Sequence, residues 1–166
     1  KLSKDQNFEK VEVDLNLLLD KVSSILGLKI EENKGKIICL KPLPKVYAND
    51  SLLYTVFKNL VENGLKFNQS TSPSVEITYQ VQENFVQISF TDNGIGIRED
   101  HQVQIFDLFK RLHSRQEYKG SGIGLAIVKL VMEKLGGDIS LKNSSGGGSR
   151  FIITIPNLNT SNETKH

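Results

Sequence analysis

The chain has 166 residues, with 21 Lys and Arg against 19 Asp and Glu and 38% apolar side chains. That length suits one domain burying about two thirds of its unfolded surface, and a balance of +2 is too small to mark a nucleic-acid surface. A single cysteine excludes a disulfide framework, and no apolar run approaches a membrane span or a signal peptide, so a reducing, cytosolic setting is expected.

In chain order, Phe8 to Val13 reads as a short strand. Asp14 offers an N-cap to a helix from Leu15 to Leu26, whose Leu18, Leu19, Val22 and Ile25 follow helical spacing, and Gly27 is expected to end it. Two short strands are expected near Leu28–Glu31 and Gly35–Leu40, with Cys39 a small buried hydrophobe in the second. Pro42 and Pro44 then force an extended connection. Asn49 or Asp50 caps a second helix from Ser51 to Phe67. Val75–Val81 and Phe85–Thr91 form a hairpin turning at Glu83-Asn84. Arg98 to Lys119 lacks sustained periodicity, is long for a connection, and reads as a functional lid. Gly124 to Leu135 is a third helix closed by Gly136-Gly137, followed by a last hairpin of Asp138–Lys142 and Arg150–Ile155. Residues 157–166 form a polar tail, and 1–156 one domain. Hairpins with helices between them imply an α+β fold. It is a two-layer sandwich with a mixed, mostly antiparallel sheet of about five strands and three helices on one face. The absence of an initial Met suggests a piece of a longer protein, and Asn-x-Ser/Thr triplets at Asn68, Asn143, Asn159 and Asn162 are expected to be chance matches.

Three segments carry chemistry. On the second helix, Leu53, Val56, Phe57, Leu60, Gly64 and Phe67 make a core stripe, and Asn59, Asn63 and Lys66 repeat the same spacing on its flank. A carboxamide oxygen suits a hard cation such as Mg²⁺, and a lysine suits phosphate. The alternative is a solvated face with a Glu62–Lys66 ion pair. Asp92-Asn93-Gly94-Ile95-Gly96 follows a strand and is either a plain turn or a buried carboxylate that accepts from an exocyclic amine such as adenine N6, with Gly94 and Gly96 admitting the base. Gly120-Ser121-Gly122-Ile123-Gly124 opens an apolar helix beginning with Leu125. Its free N–H groups and the helix dipole suit phosphates, the alternative being a hinge. It lacks the strand that precedes a dinucleotide fingerprint and the Gly-Lys-Ser/Thr of a P-loop.

Asn59-x₃-Asn63-x₂-Lys66-Phe67, Asp92-x-Gly94-x-Gly96, Phe106-x₂-Phe109 and Gly120-x-Gly122-x-Gly124 resemble the N, G1, F and G2 boxes of the catalytic ATP-binding domain of sensor histidine kinases. The lid wording, from Phe109-Lys110-Arg111 to Lys119-Gly120, is most similar to phytochrome-like and PAS-linked kinases. The wider superfamily includes gyrase B, Hsp90 and MutL, whose water-activating glutamate is replaced here by Asn59; the difference favours phosphoryl transfer over hydrolysis. The resemblance implies Asn63 as the Mg²⁺ ligand with Asn59 in support, Lys66 and Arg111 at the phosphates, Phe67 against base or ribose, and Asp92 on the adenine amine. Gly94, Gly96, Ile97, Lys110, Gly120, Ser121, Gly122, Ile123, Gly124 and Leu125 are implied to line the nucleotide, and Ser149 to complete the adenine pocket or to serve only as a hairpin residue.

The histidines are His101 and His113 in the expected lid and terminal His166, none of them on an apolar-striped helix. The resemblance therefore implies a phosphoacceptor on a separate helical dimerisation domain of a homodimeric parent, soluble or membrane-bound, with a response regulator downstream. The alternatives are an inert nucleotide-responsive module and an ATPase of the wider superfamily.

Overall fold

The computed structural model describes residues 8–66, 68–97, 102 and 122–157, with the side chains of 122 and 123 excepted. Strand β1 (Val11–Asp14) leads directly into helix α1 (Leu15–Ile25), because Asp14 Oδ1 accepts from Asn16 N at 2.9 Å and caps the first turn. Helix α2 (Gly27–Glu32), strands β2 (Lys36–Ile38) and β3 (Lys45–Ala48) and helix α3 (Asp50–Lys66) follow. Asn49, not Asp50, caps α3, its Oδ1 accepting from Leu52 N at 2.9 Å. The rest is the β4 (Ser74–Val81) and β5 (Phe85–Asp92) hairpin, helix α4 (Gly122–Lys134), and the hairpin of β6 (Asp138–Asn143) and β7 (Ser149–Pro156).

Five strands make one mixed sheet in the order β2-β4-β5-β7-β6, and β1 pairs with β3 in a separate antiparallel ribbon. Only β2 against β4 is parallel. Alternation along the strands explains the layering: Val75 and Ile77 of β4, Ile139 of β6, and Phe151, Ile153 and Ile155 of β7 are buried, while their neighbours in sequence are more exposed. The covered face packs on α3 and α4, which also pack on each other, and α1 lies against α3. The expected α+β sandwich is the observed one.

Three local expectations are corrected. Leu28–Glu31 is helix, not strand. Gly27 does not take the left-handed conformation that stops a helix, and helical bonding runs on from Leu26 N to Val22 O and from Ile30 N to Leu26 O. Lys34, at φ 55°, makes the left-handed turn instead, and Gly35 N closes it by donating to Ile30 O at 2.8 Å. The extended connection after Pro44 contains β3, whose Val46 and Ala48 are buried, so the described residues hold four helices and the ribbon besides the sheet. Cys39 is half-buried, not buried; it follows edge strand β2, its Sγ donates to Lys41 O at 3.3 Å, and partial burial pushes the thiol pKa up. Gly136, at φ 78°, does cap α4 as expected.

Helix α3 is fixed over the sheet by Phe57, whose ring meets Phe90 of β5 edge-on at 5.1 Å between centroids. Both rings are fully buried. Phe57→Ala is expected to cost about 3–5 kcal/mol through lost burial and a cavity, lowering Tm by on the order of 10 °C; a thermal melt that shifts by less than a few degrees would contradict this anchoring.

Candidate functional site

The site forms where the end of β5 meets α3 and the β6–β7 hairpin. Asp92 is the last residue of β5 and lies one step beyond the Thr91–Arg150 pair, which sets it opposite Ser149. Its Oδ1 accepts two backbone hydrogen bonds, from Gly94 N at 2.9 Å and Ser149 N at 3.0 Å. Among the described residues its Oδ2 accepts none. Burial raises the Asp92 pKa, and the N–H groups of Ser149 and Gly94 only partly oppose that rise. One oxygen is thus held by the backbone and the other is offered, in a partly desolvated place, to a donor from outside.

Two neighbours can come this close only without a side chain. A Cβ on Gly64 of α3 would lie 2.6 Å from Val75 Cγ2 and 3.2 Å from Asp92 Cβ, and one on Gly148 would lie 2.0 Å from the Asp92 carbonyl oxygen. Gly96 has φ 78°, and a Cβ there would lie 2.5 Å from Gly147 O. Its requirement is therefore the backbone turn and the hairpin, a reason additional to admitting a base. Ile97 packs on the core and its N–H donates to Asn143 Oδ1 at 3.3 Å, tying this loop to the hairpin; Ile97 O accepts from Gln102 Nε2 at 2.9 Å. Ser149 is buried and contributes its backbone N–H, while its hydroxyl makes no hydrogen bond among the described residues.

Asn59, Asn63 and Lys66 fall on α3 one turn apart, as their spacing requires. Asn59 Nδ2 donates to Thr55 O at 2.7 Å, which fixes the amide and leaves its oxygen unengaged among the described residues. Asn63 is half-buried and its carboxamide makes no hydrogen bond there. Lys66 is exposed at the end of the helix. Glu62 is paired with Lys29 of α2 and, at 3.5 Å, with Lys58, so the expected Glu62–Lys66 alternative is not needed to satisfy it. No three Asp, Glu, His or Cys side chains gather among the described residues to hold a metal. The donors fit a hard cation such as Mg²⁺ only as part of its shell, two neutral carboxamide oxygens beside ligands that a phosphate chain and water would supply.

Gly122, Gly124 and Leu125 lie in the first turns of α4, which begins two residues earlier than expected; Gly124 and Leu125 are buried. The assignments on Phe67, Lys110, Arg111, Gly120 and Ser121, the paired Phe106 and Phe109, the lid apart from Gln102, the tail beyond Asn157 and all three histidines lie outside the described residues, as does the side chain of Ile123.

Sequence reasoning passed over Gly148, Asn68, Asn143 and the amide of Asn93. Asn68 bonds to Asn93, and Asn143 accepts from Ile97 N, so both side chains tie together the loops around Asp92. The only sequence signal was the density of small and amide residues beside Asp92 and Ser149.

The Asp92 environment has a consequence for stability. A carboxyl with a raised folded-state pKa binds its proton more readily in the folded chain, so stability falls as pH rises from the unfolded pKa through the raised folded one. At neutral pH the ionised group is therefore a net cost, and Asp92→Asn, which keeps an acceptor for both N–H groups, is expected to melt no lower than wild type. The difference should shrink as pH is lowered and Asp92 protonates. Melts across pH check this, and a variant that is less stable at neutral pH would show that burial is not the dominant influence.

The chain is similar to known proteins over most of its length. The family model described as histidine kinase-, DNA gyrase B-, and HSP90-like ATPase matches residues 48–159. Phytochrome-like protein Cph1 of Synechocystis sp. (strain ATCC 27184 / PCC 6803 / Kazusa) is 41% identical over 86% of this chain and 19% of its own length. The catalytic domain of histidine kinase ThkA superposes with a TM-score of 0.76 at 26% identity, over 90% of this chain and 97% of that domain. Full-length ShkA in complex with AMPPNP gives a TM-score of 0.76 at 25% identity, over 93% of this chain and 32% of that one. The chain thus spans about a fifth of the length of the phytochrome relatives it matches. It belongs to the histidine kinase-, DNA gyrase B- and HSP90-like ATPase family, with phytochrome-like sensor kinases among its relatives.

Proposed function

We propose that this chain is the ATP-binding catalytic part of a sensor histidine kinase, holding ATP-Mg²⁺ and donating the γ-phosphoryl group to a histidine on a separate helical dimerisation domain. The observation that carries the reading is the Asp92 carboxylate, with one oxygen saturated by backbone N–H groups and the other unengaged among the described residues. An acceptor so placed matches the N6 amine of adenine, and guanine presents a carbonyl oxygen at the same ring position. Buried Ser149 adds a hydroxyl with no hydrogen-bond partner among the described residues, suited to a ring nitrogen.

On this reading the phosphates extend from Asp92 towards α3. Asn63 would hold the metal through its carboxamide oxygen, with Asn59 in support of metal and phosphates, and Lys66 would neutralise phosphate charge. The metal, when bound, would supply positive charge that offsets that of the phosphates. Phe67, Lys110, Arg111 and the stretch Gly120, Ser121, Gly122, Ile123, Gly124, Leu125 complete the nucleotide contacts, with Gly94, Gly96 and Ile97 under the base. In the transfer itself the bond from the γ-phosphorus to the bridging oxygen breaks and ADP leaves. A bond from phosphorus to an imidazole nitrogen forms, and the imidazole proton passes to a base on the acceptor domain. This chain supplies position and charge and no nucleophile. An amide at Asn59, where a hydrolase of the family would need a carboxylate to activate water, favours transfer over ATP hydrolysis. The parent is read as a homodimeric, two-component phosphoprotein kinase with a response regulator as its next acceptor, acting on the cytoplasmic side. Among the described residues no helix is long and apolar enough to cross a membrane.

With labelled ATP the chain alone is expected to give no phosphoprotein, whereas the helical domain of its parent added in trans should become labelled on histidine. The same mixture with Asp92→Asn should stay unlabelled. Labelling of the isolated chain, or labelling by Asp92→Asn at the wild-type rate, would overturn the reading. Asn63→Ala is expected to weaken ATP binding about tenfold or more in Mg²⁺ and much less in EDTA; calorimetry in both buffers decides, and equal losses would remove Asn63 from the metal.

A further inference from the structure

The residue between the two halves of the Asp92-Gly94 motif makes three side-chain hydrogen bonds, as does its partner Asn68, and none of them involves Asp92. Asn93 Oδ1 accepts from Asn68 Nδ2 at 2.7 Å and from Ser74 N at 2.9 Å, and its Nδ2 donates to Ser72 O at 3.0 Å. Asn68 Nδ2 also donates to Gly64 O at 3.2 Å, and Asn68 Oδ1 accepts from Ser70 N at 3.0 Å. Gly64 O is one of the last carbonyls of α3, which have no intrahelical partner. The chain of bonds therefore runs from the end of β5, through one asparagine pair, to the end of the helix that carries Asn63 and Lys66.

The two subsites depend on this chain unequally. The Asp92 carboxylate is set by Gly94 N and Ser149 N, neither of which needs Asn93. Asn63 and Lys66 belong to the last turn of α3, and a last turn frays unless something outside the helix satisfies its carbonyls. We infer that Asn93, acting through Asn68, is a positioning residue that holds the last turn of α3 in register with Asp92, so that the phosphate- and metal-binding end of the site stays at a fixed distance from its adenine-binding end. This inference rests on the nucleotide reading proposed above and adds to it a coupling between the two subsites.

The test compares adenosine, which engages only the Asp92 end, with ATP-Mg²⁺, which engages both, by titration into wild type, Asn93→Ala, Asn68→Ala and the double variant. Each single variant is expected to bind adenosine within about twofold of wild type and ATP-Mg²⁺ about tenfold more weakly. The double variant should lose little beyond the larger single loss, because both substitutions break the same Asn68–Asn93 bond. Parallel losses of adenosine and ATP would mean a merely structural role, and unchanged ATP affinity or additive losses would mean no coupling through the pair; each overturns the inference. Asn68→Ala, which leaves the Ser72 and Ser74 bonds in place, keeps the test decisive if Asn93→Ala folds poorly. Wild type binding neither ligand would instead bring down the nucleotide reading itself, a result distinct from failure of the coupling.

Discussion

The site depends on how closely α3 approaches β5. Phe57 against Phe90 holds the middle of the contact. About two turns of helix then deliver Gly64 to Val75 and Asp92 at a separation that leaves no room for a Cβ. The hydrophobic contact supplies the energy and the glycine supplies the distance. Because a helix is stiff over this length, fixing those two points sets Asn59 relative to the Asp92 carboxylate, and the Asn68–Asn93 bond reaches the last turn that carries Asn63 and Lys66. Adenine recognition and phosphate binding are read here as separate chemistries, and a single packing interface spaces them.

Strand order does the rest. With β5 between β4 and β7, Asp92 at its end meets Ser149 of the hairpin on one side, and the next residue, Asn93, bonds to Asn68 in the loop after α3 on the other. Gly148 presses on the Asp92 backbone while Ser149 N holds its side chain. The carboxylate is therefore held in place and partly desolvated, with no ion pair among the described residues, and burial opposes its ionisation.

Much of this was legible along the chain. Asp14 and Asn49 as caps, the Val75–Thr91 hairpin, the core stripe of α3 and the flank formed by Asn59, Asn63 and Lys66 follow from local hydrogen bonding and from periods of 2 and 3.6, which need no knowledge of distant partners. Where local signals misled, a distant partner had won. Leu28–Glu31 alternates like a strand, but Ile30 packs on the core from a second short helix that begins at Gly27. Lys45–Ala48 looked like mere connection after two prolines, and became a strand because β1, more than thirty residues earlier, pairs with it.

The sequence by itself determined which residue types were available for the chemistry and in what order: paired amides and a lysine on one helical flank, a carboxylate after a strand, and glycines before an apolar helix. Spacing along a helix or strand dictates side-chain direction, so those groupings were settled locally. Only the tertiary structure decided what Asp92 is. Its two backbone donors, its burial and the glycines that crowd it come from β5, β7 and α3, segments whose contact depends on sheet order and core packing. It also decided that Asn68 and Asn93, 25 positions apart, share a hydrogen bond. A bond between loops has no periodicity, and nothing in the linear order announces it.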